Sequence, residues 1–182
     1  HSSIILEDYG KGLFSGDFLS KLLPLAKEQN KFVSVDPSRL TDPNLYKGVN
    51  LLKPNQVESE MMVTSLGFRE TNTEKIAEIL VDKLELEKVI ITLGSQGMAI
   101  LDTKTDGKLK TIPTVAREVF DVSGAGDTAI STIVAALACG ANLEEAAWLG
   151  NCASGVVVGK KGTALVSHPE LLKFYNELNS LS

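Results

Sequence analysis

The feature that most constrains this chain is the alternation of short apolar runs with amphipathic segments. Residues 3–6 (Ser-Ile-Ile-Leu), 32–35 (Phe-Val-Ser-Val), 49–52 (Val-Asn-Leu-Leu) and 88–93 (Lys-Val-Ile-Ile-Thr-Leu) each end at a polar or Gly-rich turn, the pattern of buried strands. Between them, residues 17–30, 55–65 and 72–86 repeat apolar side chains at three- and four-residue spacing, as Ile76, Ile79, Leu80 and Leu84 do, which predicts helices. Strand and helix alternating in this way imply right-handed crossovers and an α/β fold with a mostly parallel sheet covered on both faces. Ligands then gather at the carboxyl ends of the strands. A hairpin is expected next, with Met98–Asp102 and Lys108–Ile112 around Thr105-Asp106-Gly107. Helices at roughly 125–140, 143–158 and 168–180 complete the chain. Asn142 reads as the N-cap of the second of these, with Glu144 and Glu145 in its first turn, where the helix dipole favours negative charge.

With 182 residues and 43% apolar composition, the chain can bury a real core and reads as one globular unit. Its net charge of -5 comes from interspersed acidic and basic residues, without the long Lys/Arg run of a phosphate-backbone binder, so nucleic acid is not an expected partner. Cys139 and Cys152 both fall inside apolar helical patterns, which suggests neither a disulfide framework nor a thiolate metal site and fits a reducing cytoplasm. Runs such as Val89-Ile90-Ile91 and Val156-Val157-Val158 are too short to cross a bilayer, and no membrane association is expected. The start at His1, with a strand-like run almost at once, reads as a cut through a longer protein.

One segment carries chemistry. Asp121-Val-Ser-Gly-Ala-Gly-Asp127 joins an extended stretch to a strong helix, and its Gly124-Ala125-Gly126 centre lets backbone N–H groups come close to a bound group. Phosphoryl transfer needs donors for the charge on the moving oxygens and a carboxylate to accept the proton of the attacking hydroxyl. Glycines followed at once by Asp127 offer both. A tight turn with a first-turn carboxylate would use the same residues, and spacing alone leaves the two readings open. Two lookalikes fail. Gly155-Val-Val-Val-Gly159-Lys160-Lys161 has three residues between its glycines and no Ser/Thr after the Lys, so it is not a P-loop. No Gly-x-Gly-x-x-Gly follows the first strand, which argues against a nicotinamide dehydrogenase.

The Asp121–Asp127 segment resembles the Asp-Thr-x-Gly-Ala-Gly-Asp signature of the PfkB (ribokinase-like) carbohydrate kinases, with Ser123 where Thr is usual. The resemblance implies a ribokinase-like, three-layer αβα fold. It also implies an anion hole at Gly124, Ala125 and Gly126 and a catalytic base at Asp127. Other motifs recur in the family's order. Asn55 and Glu58 in Lys53-Pro-Asn-Gln-Val-Glu58 match its Asn-x-x-Glu motif, linked by resemblance to Mg²⁺ and phosphate, usually through water. The same pair can form a helix capping box, and both readings can hold together. Thr92-Leu-Gly94-Ser-Gln-Gly97 looks like the loop that receives the phosphates of ATP. By resemblance, Thr111–Ala116 form one wall of the adenine slot, and Asn151, Ala153, Ser154 and Val157 the other. Asp8-Tyr-Gly-Lys11-Gly12 is similar to an Asp-Tyr-x-Lys-Gly motif whose Lys lies near transferred or substrate phosphate. Asp36-Pro37 reads at least as readily as a strand-terminating turn. Asp121, Ser123 and the Gly159–Thr163 loop match the family's monovalent-cation positions, which points to K⁺.

The stretch from Ala116 to Leu171 looks most like the branch of D-glycero-D-manno-heptose 7-phosphate kinase domains in bifunctional ADP-heptose synthases of lipopolysaccharide assembly. That likeness implies transfer of the ATP γ-phosphate to the anomeric hydroxyl of the sugar phosphate. Another PfkB sugar or nucleoside kinase is the first alternative, and a non-catalytic nucleotide-binding module the second. The resemblance covers only the carboxyl-terminal part of the family's kinase domain, with the early strands, the lid and most sugar-holding residues missing. The isolated chain is therefore expected to be inactive. An apolar sheet edge or helix face left bare by that truncation is expected to favour self-association, as a homodimer or larger.

Overall fold

A computed structural model of the chain describes residues 1–116 and 119–180. These fall into two compact units, His1–Leu93 with Ala99–Thr111, and Gly94–Met98 with Ile112 onward. Six strands, β1 (Ser3–Glu7), β2 (Phe32–Asp36), β3 (Leu51–Leu52), β4 (Lys88–Thr92), β5 (Met98–Asp102) and β6 (Lys110–Ile112), form one sheet in strict chain order. The β1–β2, β2–β3 and β3–β4 pairs are parallel, with Ser34 opposite Leu51 and Val35 opposite Leu52. The expected α/β alternation is therefore present.

In the first unit, helices α1 (Gly16–Glu28), α2 (Gln56–Ser65) and α3 (Thr73–Leu84) supply the crossovers. Right-handed connections between strands taken in chain order place all of them on one face. Period-two alternation sends Val33, Val35, Leu52, Val89, Ile91, Ala99 and Leu101 to that face, where they share a core with Leu19, Met62, Ile76, Leu80 and Leu84. Burying each large aliphatic side chain contributes about 1.5–3 kcal/mol. The alternate residues Ser34, Leu51, Ile90 and Ile100 are buried too, so both faces of the sheet are withdrawn from water.

Two details depart from expectation. β3 is two residues long, where 49–52 reads as a strand. Asn50 explains the shortening: its N–H donates to Val33 O (2.9 Å) while its side-chain Oδ1 accepts from Val33 N (2.8 Å), replacing one rung of the ladder. Val49 N–H turns away to Tyr46 O. The β2–β3 crossover also contains a 3-10 turn, Pro43–Tyr46, capped by Asp42 and started by a proline at its first position. One turn is too short for helical periodicity to reveal it.

The second unit is helical, with α4 (Ala125–Ala138), α5 (Leu143–Val158) and α6 (His168–Asn179). Asn142 caps α5 as expected, in a reciprocal box with Glu145 at 2.9 Å in each direction. Small residues on α5 let α4 come close: a Cβ on Gly150 would lie 2.6 Å from Ile133 Cγ1. Among the described residues, no helix is long and apolar enough to cross a membrane.

Candidate active site

In the first unit the candidate residues gather where β1 to β4 end. Thr92, the last residue of β4, forms an isolated parallel bridge with Asn55, and Thr92 N donates to Pro54 O at 3.0 Å. Asn55 then caps α2. Its Oδ1 accepts from Glu58 N (2.9 Å), and Glu58 Oε2 accepts from Asn55 N (2.8 Å). Burial pushes the Glu58 carboxyl above its ordinary range, opposed mainly by that bond from Asn55 N.

Beside them lies a pair that sequence reasoning missed. Lys53 Nζ is 2.8 Å from Asp36 Oδ2, with the Lys53 side chain 3% exposed and that of Asp36 16%. The register accounts for it, since Val35 opposes Leu52 and the next residues along the two strands are Asp36 and Lys53. The available signal was a charged residue of each sign directly after each of two apolar runs. Asp36 thus ends its strand in an ion pair, and the turn that follows is closed by Thr41 N donating to Ser38 O.

Lys11 is exposed in the turn after β1, and no ion pair or hydrogen bond engages it among the described residues. Asp8, three residues earlier, is buried and accepts from Gly10 N, Thr41 Oγ1 and Tyr46 Oη.

The second unit holds the glycine turn. Gly124 takes φ +79°, in the left-handed region, and stands at the N-cap of α4. A Cβ there would also meet Thr163 Cγ2 at 3.4 Å, so the turn lies against the 159–163 loop. Of the expected anion-hole donors, Ala125 N–H already donates to Val122 O at 3.2 Å, and Thr128 N–H closes the first turn onto Gly124 O at 3.0 Å. Gly126 N–H has no partner among the described residues, as expected of a helix's first turn. Asp127 follows it in that turn and is exposed. Asp121 Oδ1 accepts from Ser123 N (2.9 Å), and the Gly162 backbone bonds the same carboxylate. These bonds, that from Ser123 N foremost, hold the Asp121 carboxyl below its usual range. The segments expected to hold a monovalent cation are thereby joined.

Gly94 and Gly97 differ in kind. Gly94 (φ +59°) has nothing within 4 Å of where a Cβ would stand, whereas a Cβ on Gly97 (φ +94°) would lie 2.0 Å from Ile112 O. Gly97 is required by the chain's own packing, and Gly94 leaves its surface open. Asn151 is buried, and its Nδ2 donates to Pro113 O at 2.7 Å, so the two expected slot walls are tied together. Ala153 and Val157 are buried as well, while Ser154 Oγ donates to Ala125 O at 3.0 Å and links α5 to the glycine turn. Another unforeseen tie joins the rejected P-loop lookalike to α6: Lys160 Nζ donates to Leu165 O (2.7 Å) and to Glu170 Oε1 (2.6 Å).

The profile of the pfkB family of carbohydrate kinases matches residues 12–170. The chain belongs to this family. It is 41% identical over 169 residues to the bifunctional protein HldE of Paramagnetospirillum magneticum, a match covering 93% of this chain and 34% of that protein. The chain thus spans about a third of the length of the curated relatives it matches. Among solved structures, ribokinase from Thermotoga maritima superposes with a TM-score of 0.81 at 24% identity, covering 96% of this chain and 57% of that one. Phosphofructokinase-2 from Escherichia coli in complex with potassium does so with a TM-score of 0.81 at 25% identity, covering 97% and 57%. The fold is ribokinase-like.

Proposed function

We propose that this chain carries the phosphoryl-transfer centre of an ATP-dependent sugar kinase whose acceptor is heptose 7-phosphate. The observation that carries the reading is the turn opening α4: a left-handed Gly124, a half-buried Gly126 whose N–H has no partner among the described residues, and a carboxylate at Asp127. In this reading Asp127 takes the proton of the anomeric hydroxyl. The Gly126 N–H and the positive end of α4 face the charge on the moving phosphoryl group, with Ala125 shaping the turn. Lys11 holds the phosphate the substrate already bears. Heptose as the sugar is supported by the branch resemblance of the stretch from Ala116 to Leu171 and by the identity to HldE proteins.

Family membership implies ATP and a divalent cation, and the donors present fit water-mediated Mg²⁺. In the capping box Glu58 uses Oε2 and Asn55 one lone pair of Oδ1, so Glu58 Oε1 remains to accept from a metal-bound water. The open face of Gly94 fits polyphosphate in the same way. When bound, ATP supplies the phosphoryl group and Mg²⁺ the positive charge that offsets its oxygens. Asp121, with its anionic form favoured, fits K⁺ by charge, with Ser123 and the 159–163 loop beside it.

The test is ATP consumption by the full-length protein against a panel of sugar phosphates, free sugars and nucleosides, with Asp127→Asn alongside. Heptose 7-phosphate is expected to be preferred, and the substitution to lower kcat by roughly 10²–10⁴-fold, the usual worth of a general base. Turnover undiminished in Asp127→Asn would remove the assigned base, and a preference for another acceptor would remove the heptose assignment.

A further inference from the structure

We infer that Asp8 is a positioning residue for Lys11, locking the turn after β1 through Tyr46 and Thr41 so that the Lys11 ammonium is presented to the substrate's phosphate. This rests on the sugar-phosphate kinase reading above. Asp8 is 8% exposed, and both its oxygens are used by the chain itself. Oδ1 accepts from Gly10 N (2.7 Å); Oδ2 accepts from Tyr46 Oη and Thr41 Oγ1, both at 2.6 Å. With those oxygens occupied, Asp8 serves the fold rather than a ligand.

Closing the turn would need only the local bond to Gly10. The bonds to Thr41 and Tyr46 reach 33 and 38 residues along the chain, and they attach the turn to the segment that follows β2. Hydroxyl donors to a buried carboxylate make short, strong bonds. Burial, and then the bond to Asp8, push the Tyr46 phenol above its ordinary range, so it stays a donor at working pH. Tyr46 is itself 1% exposed, and its oxygen accepts from Ser38 N at 3.3 Å.

The glycines on either side of Lys11 complete the device. Both have positive φ, but a Cβ on Gly10 would lie 2.7 Å from Ser38 Oγ and 3.0 Å from Leu40 Cδ1, while Gly12 has nothing within 4 Å. The chain is pressed against its support just before Lys11 and released just after it. A cation with no partner among the described residues is thus held on an anchored backbone, which lowers the entropy lost when an anion arrives.

Tyr46→Phe keeps the packing and removes one donor, and Asp8→Asn keeps the size and removes the charge. In the chain itself, amide hydrogen exchange at Gly10–Gly12 is expected to quicken about tenfold in either variant, the effect of losing one hydrogen bond to a charged group, with α5 unchanged. In the full-length protein, the KM for the sugar phosphate should rise by roughly five- to tenfold at constant ATP KM, and Tyr46→Phe should add less than about twofold once Lys11 is Ala. Unchanged exchange, KM values that rise together, or full additivity with Lys11→Ala would each overturn the inference while leaving the kinase reading intact. A wild-type protein that turns over no sugar phosphate would overturn both.

Discussion

Replacing Lys53 by Met should destabilise the first unit more than the loss of any surface ion pair. Methionine keeps most of the stem's volume, so the change isolates the charge. The ammonium stands 2.8 Å from Asp36 Oδ2 on a side chain that is 3% exposed. At an effective dielectric near 20 the gross attraction is about 6 kcal/mol. Part is returned because the ammonium no longer has to be dehydrated. Buried pairs broken on one side lose about 3–5 kcal/mol, and the 16% exposure of Asp36 argues for the lower end, about 3 kcal/mol. That is roughly a hundredfold in the folding equilibrium. Urea unfolding followed by far-ultraviolet circular dichroism would measure it, with an unchanged m-value showing that the unfolded state is unaffected. Lys21→Met is the control: its pair with Asp17 is 74% and 80% exposed, and its loss should cost less than about 1 kcal/mol. Adding Asp36→Leu to Lys53→Met should recover part of the loss, because the carboxylate that faced the ammonium is removed with it. Equal losses for the Lys53 and Lys21 variants would refute the reasoning.

Gly97→Ala should lower stability by at least ~2 kcal/mol, seen as a fall in thermal midpoint, because its Cβ meets the backbone at Ile112 and Pro113. Gly107→Ala, at φ +65° with open space around it, should cost only about 1–2 kcal/mol. Gly150→Ala should cost about 1–3 kcal/mol, and Ile133→Ala, which removes both Cγ1 and Cδ1, should make the pair less than additive in a double-mutant cycle, since the nearest obstacle is a side chain that can be trimmed. The bond from Lys160, with those from Ser167, lowers the Glu170 pKa from 4.5 to about 2. A depressed carboxyl contributes stability above its unfolded pKa and loses it as pH falls through the folded one. Protection factors of the 159–167 amides, taken against the intrinsic exchange rate at each pH, should therefore fall between about pH 4.5 and 2 in the wild type, and the change should flatten in Glu170→Gln.

Most of the sheet is legible in the sequence because its strands are buried on both sides and read as short, mainly apolar runs. Val33 to Val35 and Val89 to Ile91 need no partner information to be recognised. What escapes is whatever depends on register or on one turn of chain. Lys53 is invisible as a buried cation until Leu52 is known to stand beside Val35. Tyr46 belongs to a turn too brief for periodicity, and its partner Asp8 is 38 residues away. A hydrophilic residue after a strand looks solvated until its long-range donors are in place.

The candidate site shows the same limit from the other side, because one residue type can answer two demands. Asn55 and Glu58 read equally well as helix cap and as metal organiser, and the capping bonds do not exclude the second role. They hold Glu58 by Oε2 and so set the direction of Oε1. Glycine is separable where its surroundings are known. Gly97 has positive φ because Ile112 and Pro113 cross it, and any family of chains with that crossing would need glycine whether or not it bound phosphate. Gly94 has positive φ and nothing beside it, so its open surface is the better indication of a ligand. The same test applied at Gly10 and Gly12 assigns the first to packing and leaves the second open, and Lys11 sits between them.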